Sequence, residues 1–347
     1  MNVNAPELNS KSNSNSKKNL IKYWPILLGV VAVILPQVMT NPYMLQIIIL
    51  IFIYAAAGSA WNIVGGYSGQ ISLGHVAFFG IGAYTSTLLY LNFQISPWIG
   101  MIAGMVLAAI VSGLISYPCF KLRGPFFTLA TLAFAEVCRL LSIWARPVTG
   151  GSVGLTINFK PGLENMQFIG KAGYYYIAFG LMVVILLISL KIERSKFGYY
   201  LTALKEDHDA AEALGINTAR YKLYAACISG GLTALCGTVF AQLLLYIEPA
   251  AVFTPALSNQ FAMLAVVGGA GTAWGPIIGS LLITPLNELL RGWLGGNLLG
   301  MNYVIFGFLL IIVVTFMPNG LYPYLKKLVN KIFKPRTKEP KLEEDTV

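Results

Sequence analysis

Runs of about 20 apolar residues recur through most of this chain, and nothing else about it so narrows the folds open to it. A run of that length crosses the hydrocarbon core of a bilayer as a helix. Inside lipid every backbone N–H and C=O must be paired within the protein, which leaves helical bundles and closed barrels. Barrel strands read as short segments of alternating polarity, and these runs are continuous. At 347 residues a soluble chain would be expected to form two or three domains, but 56% hydrophobic and 11% charged residues overrule that reading. The expected fold is all-α, a polytopic transmembrane helical bundle.

Ten spans are predicted: Ile21 to Met39, then 43–64, 71–92, 97–118, 125–145, 172–190, 223–246, 259–273, 275–291 and 301–317. The split of 259–291 is the least marked, because its first part is short and interrupted by glycine. The first run is longer than a signal-peptide core and lacks an A-x-A cleavage site, so it is read as a retained helix. Residues 1–20 are Asn/Ser/Lys-rich and expected to be a disordered tail, 21–325 the transmembrane domain, and 326–347 a tail of mixed basic and acidic residues. Of the 24 Lys and Arg, nineteen fall in the two tails, at Lys121 and Arg123, and in the stretch Lys191 to Lys222. Arg146, Lys160, Lys171 and Arg291 fall on the other side, and Arg139 lies within a span. That bias predicts both termini inside, in a multi-pass protein of the cell (plasma) membrane.

The formal net charge of +10 sits at the ends and in the loops, where it serves topology and contact with anionic membrane lipid; no nucleic-acid partner is expected. Cys119, Cys138, Cys227 and Cys236 lie in or beside apolar runs with no C-x-x-C pair, and read as small membrane-embedded side chains. No G-x-x-x-x-G-K-[ST] run and no dense His/Cys/Asp/Glu cluster occurs, so no ATP site, metal, cofactor or enzymatic activity is expected of this chain itself.

The stretch Lys191 to Lys222 is the longest polar interruption in the second half. Thr202 to Leu214 lacks Pro and Gly, and Gly215 follows as a stop, which predicts a short surface helix over 202–214. Asp209, Ala210 and Ala211, followed by Glu212 and Gly215, resemble the Glu-Ala-Ala…Gly loop of ABC importer permeases, with Asp in place of the usual Glu. The alternative is an ordinary basic loop.

Asn62 to Tyr84 reads NIVGGYSGQISLGHVAFFGIGAY, where glycines and the polar Gln70, Ser72 and His75 conflict with a plain lipid-facing helix. Glycine clusters break a helix or let neighbours approach closely. From Gly69 to Tyr84 this stretch resembles the signature of the LivM-type permease subunit of branched-chain amino acid ABC importers. Phe126 to Glu136 with Arg139 is similar to that family's T-L-A-x-x-E-x-x-R segment. Gly268-Gly269-Ala270-Gly271-Thr272 with Gly275-Pro276 and Gly279 resembles its glycine-rich segment, and Met317 to Leu321 its closing M-P-x-G-L. The resemblance covers roughly residues 45–325.

What the resemblance implies is a membrane permease subunit of an ATP-driven importer of branched-chain (hydrophobic) amino acids. Its partners would be cytoplasmic ATP-binding subunits, a second permease subunit and an extracytoplasmic substrate-binding protein. Asp209, Ala210, Ala211, Glu212 and Gly215 would couple it to the ATPase. Asn62, Gln70, Ser72 and His75 are the candidates for the pathway wall, against packing roles for the same residues. Glu136 and Arg139, three apart, are read as an intramembrane ion pair serving as a clamp or a gate. Glu288 and Arg291 repeat that spacing at a membrane edge, and Arg146 to Lys171 is an outer turn or docking rim. A urea, amide or nucleoside importer permease is the near alternative, and an ion-coupled secondary transporter the distant one.

Overall fold

The computed structural model describes residues 41–294 apart from 121 and 123, residues 35–37 and 39, single positions between 304 and 320, and 321–333. The expected spans Ile21 to Met39 and 301–317 and both terminal tails fall largely or wholly outside the described residues, as does the side chain of Arg291 in the expected pair with Glu288.

The described chain is helical almost throughout. Helix α1 (Pro42–Asn62) is capped by Asn41, whose side chain accepts from the Tyr43 amide, and runs on into a π-helical turn, Ile63–Tyr67. There follow α2 (His75–Phe93), α3 (Pro97–Cys119), α4 (Pro125–Trp144), α5 (Lys171–Glu193), two short helices α6 (Lys196–Glu206) and α7 (His208–Ala213), then α8 (Thr218–Leu244), α9 (Pro255–Gly269) and α10 (Gly275–Leu294). Proline opens α1, α3, α4 and α9, where its missing N–H is no loss. Helix α11 (Leu321–Phe333) alternates lysines with Leu321, Leu325 and Leu328 at helical spacing.

Among the described residues, seven segments are long and apolar enough to cross a membrane: α1 with its π turn, α2, α3, α4, α5, α8 and Pro249–Gly269; Gly275–Leu290 is a shorter apolar helix. The expected start at 71 moves to His75, because Gly69 takes φ +70° and residues 68–74 form a loop. The expected 259–273 becomes α9, ended by a turn in which Gly269 and Gly271 both have positive φ.

Helices α1 and α8 are the core. Helix α1 packs on α5, α8, α9 and α10, and α8 on α1, α2 and α3. Small side chains make this possible: Ala55, Ala56, Ala57, Gly58, Ser59 and Ala60 form a buried run in α1. Where α2 crosses α8, a Cβ on Gly82 would land on the Ala234 carbonyl and one on Gly237 on the Phe79 carbonyl, so only glycine permits the approach. The Thr238 hydroxyl donates to the Gly82 carbonyl at 3.0 Å, and the Ser112 hydroxyl bonds α3 to the Ala226 carbonyl of α8 at 2.8 Å.

Alternate ends of the spans gather together. At one end the 68–74 loop, the starts of α4 and α8, α6, α7 and the 270–274 turn meet. At the other, β1 (Leu155–Thr156) pairs antiparallel with β2 (Tyr246–Ile247), and the Tyr246 hydroxyl donates to the Val153 carbonyl at 2.6 Å. In the segment 146–171, Val153, Leu163 and Ile169 are exposed.

Candidate functional site

The sequence segments singled out above converge on one end of the bundle. The loop Gln70 to Gly74 is pinned by α4: the Thr128 hydroxyl donates to the Ile71 carbonyl at 2.7 Å, and Thr131 Oγ1 accepts from the Leu73 amide at 3.1 Å. Trp61 Nε1 donates to the Ser72 carbonyl at 2.6 Å. Asn62, fully buried, holds the glycine-rich turn through Oδ1, which accepts from the Gly271 amide at 2.9 Å, and Nδ2, which donates to the Thr272 carbonyl at 3.0 Å. Glu193, at the end of α5, accepts from the Ala273 amide at 3.0 Å and holds the same turn from the other side.

His75 is buried at the first position of α2. Its Nε2 lies 2.7 Å from Ser229 Oγ and its Nδ1 3.1 Å from Ser72 Oγ. The Ser229 hydroxyl donates to the Ala60 carbonyl at 2.6 Å, so it accepts from the ring, which assigns the proton to Nε2 and makes Nδ1 the acceptor from Ser72. A neutral imidazole thus joins the loop, α8 and α1, beside a void of about 10 Å³, roughly the size of one water. Of the four residues singled out as pathway candidates, Asn62, Ser72 and His75 sit in this bonded network, and Gln70 lines an open cavity of about 990 Å³ at the same end.

The polar stretch is two helices where one was expected. At Asp207 the backbone turns extended (φ −152°, ψ 115°), and its Oδ1 accepts from the amides of Asp209 and Ala210, which ends α6 and caps α7. Gly215 takes φ +83°. Its amide bonds to the Glu212 carbonyl at 2.9 Å and the Ile216 amide to the Ala211 carbonyl at 3.1 Å, the two bonds of a Schellman end. Ala211 is 3% exposed and is the residue α7 buries, while Asp209, Ala210, Glu212, Gly215 and Leu214, 82% exposed, face outward. The Thr218 hydroxyl donates to Glu212 Oε1 at 2.6 Å and ties α7 to the start of α8. His208 Nδ1 lies 3.8 Å from Glu212 and 3.9 Å from Asp209, an attraction when the ring is protonated.

Glu136 and Arg139 stand apart from this end, within α4. Arg139 Nε donates to Glu136 Oε2 at 2.9 Å, with a second bond from the guanidinium to Oε1, and the side chains are 29% (Arg139) and 41% (Glu136) exposed. The sequence reading did not single out Ser229, Glu193, Thr128 or Thr131 for these roles. Ser229 precedes a Gly-Gly pair and Glu193 ends an apolar run; each is a polar group of the kind that marks a helix contact.

Over residues 43–314 the chain matches the family described as the branched-chain amino acid transport system permease component. The high-affinity branched-chain amino acid transport system permease protein LivM of Escherichia coli is 30% identical over 325 residues, covering 87% of this chain and 75% of that protein. LivM of Salmonella typhimurium is 30% identical over 295 residues, 78% of this chain and 68% of its own length. More distant is the nucleoside ABC transporter permease protein NupC of Lactococcus lactis subsp. cremoris, 23% identical over 305 residues, 80% of this chain and 95% of that one. No solved structure matches the chain.

Proposed function

The chain belongs to the family of branched-chain amino acid transport system permease components, and from that premise we propose that it is the membrane permease subunit of an ATP-driven importer of branched-chain amino acids. ATP-binding subunits, a second permease subunit and a substrate-binding protein are its proposed partners. The orientation we propose places both termini and the α6–α7 segment in the cytoplasm, in keeping with the Lys and Arg bias.

The observation that carries this reading is α7. It projects Ala210 and Leu214 beside the carboxylates of Asp209 and Glu212, is fixed to the bundle through Ala211 and Thr218, and ends in a closed turn. Such a helix suits a groove on a rigid partner, since Ala and Gly let two backbones approach closely. We propose that Asp209 to Gly215 is the coupling helix. A displacement there reaches the spans through α8, whose first turn is bonded to Glu212, and through the cavity wall shared by His208, Gln70 and Thr128. In this scheme Gln70 faces the moving cavity, whereas Asn62, Ser72 and His75 keep the signature loop rigid while its surroundings shift. The exposed Val153, Leu163 and Ile169 are the proposed rim for the substrate-binding protein.

The test is purification of the membrane-extracted protein, wild type against Gly215→Arg, from cells that express the whole transport system. Wild type is expected to bring down a nucleotide-binding subunit and the variant to lose it with the bundle intact. A wild type that brings down no such subunit under mild extraction, with uptake driven by an imposed ion gradient after ATP is removed, would overturn the reading.

A further inference from the structure

Helix α11 (Leu321–Phe333) is unlike the spans in how its residues are sorted. Leu321, Leu325 and Leu328 recur at i, i+4 and i+7 on one side, with Tyr324 at its edge, and Lys326 and Lys327 fall on the other. Leu328 is 56% exposed, and Tyr324 and Leu325 are exposed as well, so the apolar side stands open. Lys326, Lys327, Lys331, Lys334, Arg336 and Lys338 all precede the first acidic residue after Leu321, Glu339. The cations of this stretch are therefore unmixed with carboxylates.

The start of α11 is fixed. Gly320, the residue before it, takes φ +74°, and its amide donates to the Met317 carbonyl at 2.8 Å. A Cβ on Gly320 would meet the backbone of Gly268 and Gly269, so the chain passes close against the end of α9. That end closes the apolar segment Pro249–Gly269, and α11 begins level with it.

An open apolar side bordered by lysines, starting where a span leaves the hydrocarbon, matches the headgroup region of an anionic leaflet. There the leucines sink among the acyl chains and the lysine stems reach back to the charged surface. We propose that α11 lies in the plane of that surface, held by anionic phospholipid. The lysines act as a field on the leaflet as a whole, and no single headgroup is assigned to any of them. A helix of 13 residues is marginal when free, but the anchor at Gly320 holds it at the surface at high effective concentration. Seated there, α11 keeps Gly320 against the end of α9, next to the turn that Asn62 and Glu193 bond. The proposal rests on the membrane-spanning fold and stands whichever substrate the protein carries.

The test uses the full-length protein in vesicles of phosphatidylcholine, with or without phosphatidylglycerol. A polarity-sensitive fluorescent amino acid is placed at position 328 or, in a second sample, at 327; both positions are exposed, so neither change disturbs a packed core. With phosphatidylglycerol, the reporter at 328 is expected to shift to the blue and to be quenched by brominated acyl chains, while the one at 327 keeps its aqueous wavelength. Lys327→Gln should lower the docked-to-free ratio read at 328 about fivefold, and pure phosphatidylcholine should lower it further. Lys160→Gln, at the opposite end of the bundle, should leave it unchanged. An aqueous signal at 328 in both kinds of vesicle, equal quenching at 327 and 328, or the same ratio in the two lipids would each overturn the proposal. A reporter at 328 that is shielded by co-purified subunits in detergent, and not by lipid, would overturn it in favour of a protein partner.

Discussion

Helices α1 and α4 are both apolar segments of membrane-spanning length, yet 89% of the apolar stretch of the first is buried and 22% of that of the second. The middle of α1 is built of Ala, Gly and Ser, and neighbours close on it from all sides. Helix α4 buries Phe127, Thr131, Ala135 and Ser142 along one stripe and turns Leu129, Val137, Leu140 and Trp144 outward. Hydrophobicity therefore places a segment in the membrane, and side-chain size places it in the bundle. The difference extends to polar groups. Asn62 and Ser229 in the buried region bond to backbone beyond their own helix, Asn62 to the turn at Gly271 and Ser229 to Ala60 of α1. The charged pair of α4 is closed on itself within one helix and half-exposed.

The sharpest way to break this contrast is to add volume to each region. Gly82→Val pushes a side chain into the Ala234 carbonyl and is expected to destabilise by about 3 kcal/mol or to stop accumulation. Val137→Leu on the exposed face of α4 should stay within about 0.5 kcal/mol. Similar melting temperatures for the two in detergent would show that the core is not at α1, α2 and α8. Next in size, Ser229→Val removes the acceptor of His75 Nε2 and is expected to lower stability by about 1–2 kcal/mol. The corresponding change at Ser142, whose hydroxyl donates to the Arg139 carbonyl of its own helix, should have a smaller effect.

Gly215→Ala meets no neighbour and carries only the backbone penalty of positive φ, about 1 kcal/mol confined to α7. The melting of the bundle should be unchanged while hydrogen exchange at Ile216 speeds up. A lowered melting temperature would mean that α7 is part of the core. The smallest effect is expected at the α4 pair. Glu136→Gln or Arg139→Gln alone leaves one charge without its partner within a span, and the double variant should lie closer to wild type than either single.

Much of this was legible in the residues. Apolar runs fix α1, α3, α4, α5 and α8 to within a few positions, and Gly215 marks the end of α7 because few other residues take its φ readily. The break at Asp207 was not legible: nothing in Thr202 to Leu214 disrupts a helix, and the interruption comes from an Asp side chain competing for the amides of Asp209 and Ala210. The bonding of His75 was equally hidden, since Ser229 lies 154 positions away and only packing brings the two together. Polar residues inside apolar sequence are easy to find, but their partners depend on which helices touch.

The closed end of α7 sets what a partner must supply. Most helix ends offer bare carbonyls to whatever covers them, and a lid that fails to answer them is penalised. Here the carbonyls of Ala211 and Glu212 are already answered by Ile216 and Gly215. A protein closing over this tip need not answer those two carbonyls, and what it would have to match is the shape of the turn and the charge of the exposed Asp209 and Glu212.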